Sequence, residues 1–298
     1  MATVSVSMQE LAELAPKHEF FVGIDSDGCA FDSMEIKHKE CFCPQIIKYW
    51  DLQAVSKYAR EVVEFINLYS KWRGTNRWPA LILTLDLLRQ RPEVIKREWS
   101  IPEAPRVRDF IASGKALSND GLKAYMAEHP DPELEHALQW SKAVNAAVAD
   151  IVHNLPPFPF VRESLEMIQK QADTVVVSAT PTEALLKEWR ENNIDKYVRV
   201  IAGQELGTKK QHLKMAAAGK YAANRLLMIG DAPGDLDAAR SSNALFFPIN
   251  PGHEEESWEC FYKEGFKKFL AGEFAGAYEN KLISEFDKLL PSIPPWSR

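Results

Sequence analysis

The chain has 298 residues, 46% hydrophobic and 26% charged, an ordinary composition for a soluble globular protein. Its formal charge of −6 leaves no basic footprint for nucleic acid, and no apolar stretch approaches the ~20 residues that span a bilayer. The opening MATVSVSMQELAELAPKHEF lacks the basic region and apolar run of a signal peptide, so a cytoplasmic location with no membrane association is expected. Cys29, Cys41, Cys43 and Cys260 fit a reducing compartment: Cys41 and Cys43 stand too close for an easy mutual disulfide, and no second pair has zinc-ligand spacing.

The first strand signal is FFVGI (Phe20–Ile24), an apolar run that ends in Asp25-Ser26-Asp27-Gly28. Such unbroken runs suit strands buried on both faces of a parallel sheet. From Ser33 to about Leu155 helix-like segments dominate, among them VSKYAREVVEFINLYSKW and PELEHALQWSKAVNAAVADIVHN; PALILTLDLL fits strand or helix. PPFPF (Pro156–Phe160) then forms a stiff connector. Beyond it, VRESLEMIQKQA predicts a helix and TVVVSAT (Thr174–Thr180) a strand. A helix near Pro181, VRVIAG (Val198–Gly203), a helix through LKMAAAGKYAA, RLLMIGD (Arg225–Asp231), a helix at Asp235–Arg240 and ALFFPI (Ala244–Ile249) follow. This alternation is the mark of βαβ units. The predicted organisation is an α/β core of residues 1–32 and 157–298, with an all-helical insertion at 33–156. The tail from Glu254 reads as two helical segments packed outside the sheet.

Chemically apt residues cluster at strand ends: Asp25 and Asp27, Ser178, and Asp231 with Asp235. Sites in open parallel sheets form outside the carboxyl ends of the strands, so these residues should converge. A DxD pair by itself commonly caps a helix or solvates a turn; here it is joined by Ser178, by Lys209 and Lys210 at a helix start, and by GDAPGD. Asp231 and Asp235 put two carboxylates around one turn, one to bind a metal and the other to orient it or its water.

Taken together, DSDG, Ser178 in VVVSAT, Lys209 or Lys210 in GTKKQHL, and Asp231/Asp235 in GDAPGDLDAA resemble the four motifs of the haloacid dehalogenase superfamily. The resemblance is to its members with a helical, C1-type cap inserted after the first motif, and spans about residues 19–33 and 157–252. It implies a Rossmann-like core and a phosphoryl-transfer hydrolase that uses Mg2+. By residue type, Asp25 suits the nucleophile and Asp27 the acid and base. Ser178 suits a donor to a phosphoryl oxygen, and Lys209 a counter-charge, with Lys210 the other choice. Asp25 and Asp231 suit the metal; the resemblance adds the backbone carbonyl of Asp27. An acid at Asp27 disfavours cleavage of C–halogen and C–P bonds, because the family members that perform them lack it. Cys29 stands where the family commonly has threonine, small enough for the turn.

Lys71–Pro79, interrupted by Gly74 and Pro79, carries Arg73 and Arg77, which are candidates for substrate binding or for a solvated loop. The tryptophans of the insertion, Trp50, Trp72, Trp78, Trp99 and Trp140, suit core packing or stacking on a ring. Glu35 and His38 follow the first hinge and are candidates to face the crevice, with polar surface the plainer reading of His38. The expected activity is a phosphatase for a small phosphorylated metabolite. A phosphomutase and a non-catalytic binding protein on the same fold are the alternatives, and the sequence names no protein partner.

Overall fold

The computed structural model describes residues 7–297; the first six residues of the stretch read for a signal peptide lie outside them. Among the described residues no helix is long and apolar enough to cross a membrane. The apolar runs form β1 (Phe20–Ile24), β2 (Ala172–Val177), β3 (Val200–Ala202), β4 (Leu226–Gly230) and β5 (Leu245–Pro248). They make one parallel sheet in the order β3-β2-β1-β4-β5. Every residue of β2, β4 and β5 is buried, the reason these strands lack apolar–polar alternation.

Helices Val161–Ile168, Thr182–Glu191, Lys209–Ala217 and Pro233–Ser241 alternate with the strands. The third is shorter than LKMAAAGKYAA suggests, since the chain turns at Gly219. The strand order reverses between β1 and β4, where open α/β sheets form a crevice at their carboxyl edge.

The chain divides into two compact units, residues 1–34 with 154–289 and residues 35–153 with 290–298. The second is helical and lies in sequence between β1 and β2. Ser56–Asn67 buries Ala59, Val62, Val63 and Ile66 as one apolar face. PALILTLDLL proves helical, within Arg77–Gln90. Pro79, expected to interrupt a helix, instead lies in its first turn, where the missing N–H leaves no bond unmade. Trp78 and Trp140 are fully buried and meet edge to face at 5.6 Å, so the packing reading holds for both. Trp99 is exposed and donates from Nε1 to the Asp51 carbonyl at 3.0 Å.

The tail divides. Phe261, Phe266, Phe269 and Phe274 join Phe247 of β5 in the core of the sheet unit, and helix Ala277–Leu289 lies against β5. Residues 290–298, expected on the sheet, cluster instead with the helical unit: Trp296 packs on Phe65 at 5.4 Å and over the Arg91 guanidinium at 4.5 Å.

Candidate active site

Parallel register carries β1 and β4 out side by side, Ile24 beside Ile229, and the Asp25 N–H donates to the Ile229 carbonyl at 3.0 Å. Asp25 and Asp231 therefore leave adjacent strands together. Gly230 lets the next turn fold back: a β-carbon there would lie 2.4 Å from Cβ of Asp235. Through that gap Asp235 Oδ2 accepts the N–H groups of Asp231 and Ala232 at 3.2 and 3.1 Å.

Lys209 arrives by a second close approach. A β-carbon on Gly23 would strike Leu213 at 2.7 Å, so the glycine lets helix Lys209–Ala217 settle onto β1. Lys209 stands four residues before Leu213, on the same helix face. Its Nζ donates to Asp25 Oδ2 at 2.7 Å and to Asp235 Oδ1 at 2.6 Å, whereas Lys210 is exposed. Carboxylate oxygens of Asp25, Asp231 and Asp235 all lie within 4.8 Å of one another, and all three residues are buried.

Three carboxylates thus share one ammonium. Burial drives the Asp25 carboxyl well above the usual range; Lys209 opposes this, and Asp235 and Asp231 reinforce it. Burial acts to lower the Lys209 pKa, but Asp235, Asp25 and Asp231 outweigh it and hold the ammonium charged. The excess negative charge and the hard oxygen donors fit a divalent cation. Asp25, Asp231 and Asp235 are the side chains placed to hold one.

Asp27 lies two residues past Asp25, within a turn closed by bonds from the Ala30 and Phe31 N–H groups to the Ser26 carbonyl. Its Oδ2 accepts from Thr180 Oγ at 2.5 Å and its Oδ1 from the Ser33 hydroxyl. Ser178, buried at the end of β2, accepts the Thr180 N–H at Oγ, 3.2 Å away. The structure therefore brings Asp25, Lys209, Asp231 and Asp235 together and joins Asp27 to the Ser178 loop through Thr180. Sequence reasoning passed over Thr180 and Ser33. The only available signal was a hydroxyl two residues beyond Ser178, too common to single out. Cys29 lies beneath the turn, 3.7 Å from the Ile229 carbonyl; burial and then Asp231, Asp25 and Asp235 push its thiol pKa well up, which leaves it unreactive.

The arginines belong to the helical unit. Arg73 is buried, with Nη1 donating to the Leu68 carbonyl at 2.9 Å. Arg77 Nη1 donates to the Ser141 carbonyl, Ser141 Oγ and Asn145 Oδ1 at 3.2, 2.9 and 2.7 Å. Glu35 accepts from the Tyr69 hydroxyl, and His38, expected at the surface, is buried with its ring 4.8 Å from that of Phe42.

Residues 114–248 match the model of a family described as haloacid dehalogenase-like hydrolase, a stretch holding Ser178, Lys209, Asp231 and Asp235 but beginning after Asp25. No curated protein matches the chain by sequence. Among solved structures it is similar to a predicted phosphoglycolate phosphatase from Haemophilus somnus (14% identity, 78% of this chain and 86% of that one, TM-score 0.46). Another, from Lactobacillus delbrueckii and provisionally described as a phosphoglycolate phosphatase, shares 15% identity over 90% of this chain and 98% of that one, with a TM-score of 0.48. A subfamily IA hydrolase from Geobacter sulfurreducens shares 16% over 82% and 90%, with a TM-score of 0.39.

Proposed function

We propose that the chain is a haloacid dehalogenase-like hydrolase, a reading supported by the family match over residues 114–248, and that it is a magnesium-dependent phosphatase that forms an aspartyl-phosphate on Asp25. The observation that carries this reading is the buried cluster at the ends of β1 and β4, where Lys209 bridges Asp25 and Asp235 beside Asp231. Phosphate esters are anionic and repel nucleophiles, so their enzymes work mainly by positioning and charge neutralisation. Asp25 is fixed by the Ser26 N–H on Oδ1 at 2.8 Å and by Lys209 on Oδ2, so its carboxylate has one defined orientation for attack on phosphorus. Asp27 gives a proton to the departing ester oxygen, then takes one from the water that cleaves the acyl phosphate. Ser178 and Lys209 bind phosphoryl oxygens. Mg2+ held by Asp25, Asp231 and Asp235, with the carbonyl of Asp27, would neutralise charge on the phosphoryl group.

The substrate class is a small phosphorylated metabolite, with Arg73 and Arg77 reading what lies beyond the phosphoryl group. Arg77 supports this: the Ser141 and Asn145 oxygens it donates to are neutral, and among the described residues no carboxylate lies within ion-pair distance of it. The test is phosphate release from a panel of phosphorylated metabolites, with Mg2+ and with chelator, by wild type and Asp25→Asn. Metal-dependent release and a trapped phosphoenzyme, both lost in a folded Asp25→Asn, are expected. Full activity in that variant would refute the mechanism. Isomer formation that requires a bisphosphate primer would reassign the protein as a mutase.

A further inference from the structure

We propose that Thr180 is a positioning residue for Asp27, holding the acid–base carboxyl in place through both half-reactions; this rests on the phosphatase reading above. In the first half-reaction the bond from phosphorus to the ester oxygen breaks and a bond to Asp25 forms. The proton on Asp27 passes to the departing oxygen. In the second, water attacks the acyl phosphate, the bond to Asp25 breaks, and Asp27 recovers a proton from the water. Asp27 must therefore be held at the same place once as an acid and once as a base.

A hydroxyl serves both states, since it donates to a carboxylate and accepts from a carboxylic acid. Thr180 Oγ lies 2.5 Å from Asp27 Oδ2, and the Ser33 hydroxyl bonds the other oxygen. The loop that carries Thr180 is anchored without that hydroxyl. The Thr180 carbonyl accepts the Gln204 N–H at 3.0 Å, and the Thr180 N–H donates to Ser178 Oγ at 3.2 Å. Glu205 Oε2 accepts both the N–H and the hydroxyl of Thr182, at 2.9 and 2.6 Å. Three of these bonds tie the loop after β2 to the loop after β3, the one to Ser178 closes the first loop on itself, and all four leave the Thr180 side chain for Asp27. Removing the hydroxyl alone should misplace the acid while the loop keeps its shape.

The readout is dependence on the leaving group, which a general loss of structure would not produce. 4-Nitrophenolate departs with little help from an acid, whereas phenolate is about as basic as a tyrosine side chain, with a pKa of about 10. Compare kcat/KM of wild type, Thr180→Val and Thr180→Ser on 4-nitrophenyl phosphate and phenyl phosphate with Mg2+. Losing one hydrogen bond to a charged group should cost Thr180→Val about tenfold or more on phenyl phosphate. The loss on 4-nitrophenyl phosphate should stay within about threefold, and Thr180→Ser should recover the phenyl phosphate rate. Equal losses on both esters, no loss on either, or no recovery in Thr180→Ser would overturn the role of Thr180 and leave the phosphatase reading standing. A wild-type protein that releases phosphate from neither ester and from none of the phosphorylated metabolites would overturn both.

Discussion

Removing the ammonium of Lys209 is the sharpest perturbation of the buried cluster. At an effective dielectric of about 20, charges 2.7 Å apart attract by roughly 6 kcal/mol. One oxygen from each of the three carboxylates lies within 4.8 Å of the others, and at that distance two charges repel by about 3.5 kcal/mol on the same scale. Lys209→Met therefore leaves three mutually repelling carboxylates with no counter-charge. Breaking one side of a buried ion pair typically costs about 3–5 kcal/mol, and that loss is expected at pH 7 in chelator. It should shrink as pH falls. The Asp25 carboxyl is raised above its unfolded value, so its charging opposes folding as pH climbs through the folded pKa and is relieved below the unfolded one. Added Mg2+ should restore stability in the same way. The assay is thermal or urea unfolding of both proteins at pH 5 and 7, with chelator and with Mg2+. A variant as stable as wild type under all four conditions would refute the electrostatic account.

Asp231→Ala should weaken Mg2+ binding by calorimetry at least tenfold; Asp235→Ala should also lower stability, because Asp235 closes the turn through two backbone N–H groups. Arg73→Ala or Arg77→Ala should lower kcat/KM for the cognate metabolite about tenfold to a hundredfold while sparing a small aryl phosphate; parallel changes on both would remove these arginines from substrate recognition.

The sheet was legible because strands buried on both faces have unbroken apolar runs, and those runs end in Asp25, Ser178 and Asp231. The sequence alone left open whether Lys209 or Lys210 enters the site. What fixes the choice physically is the contact of Leu213 with Gly23, a pairing 190 residues apart that no local pattern encodes. Thr180 was not legible for a similar reason: its partner, Asp27, lies in another segment, and a threonine in a loop carries no distinctive signal. Within the helical unit, Pro79 misled because proline both ends helices and begins them, and only the cap at Asn76 decides which. His38 and the last nine residues were placed by polarity and by position along the chain, which say little about burial.

The tie between Trp296 and the helices has a consequence for the order of synthesis. Residues 35–153 leave the ribosome before β2 exists, and domains tend to fold as they emerge. Phe65 and Arg91 are then in place long before their partner, which is made after β5. The helical unit receives Trp296 only after the sheet has all five strands. Cutting it out at 35–153 to obtain a bare core would strand Trp296 without its partners. A core made for that purpose has to stop at Leu289.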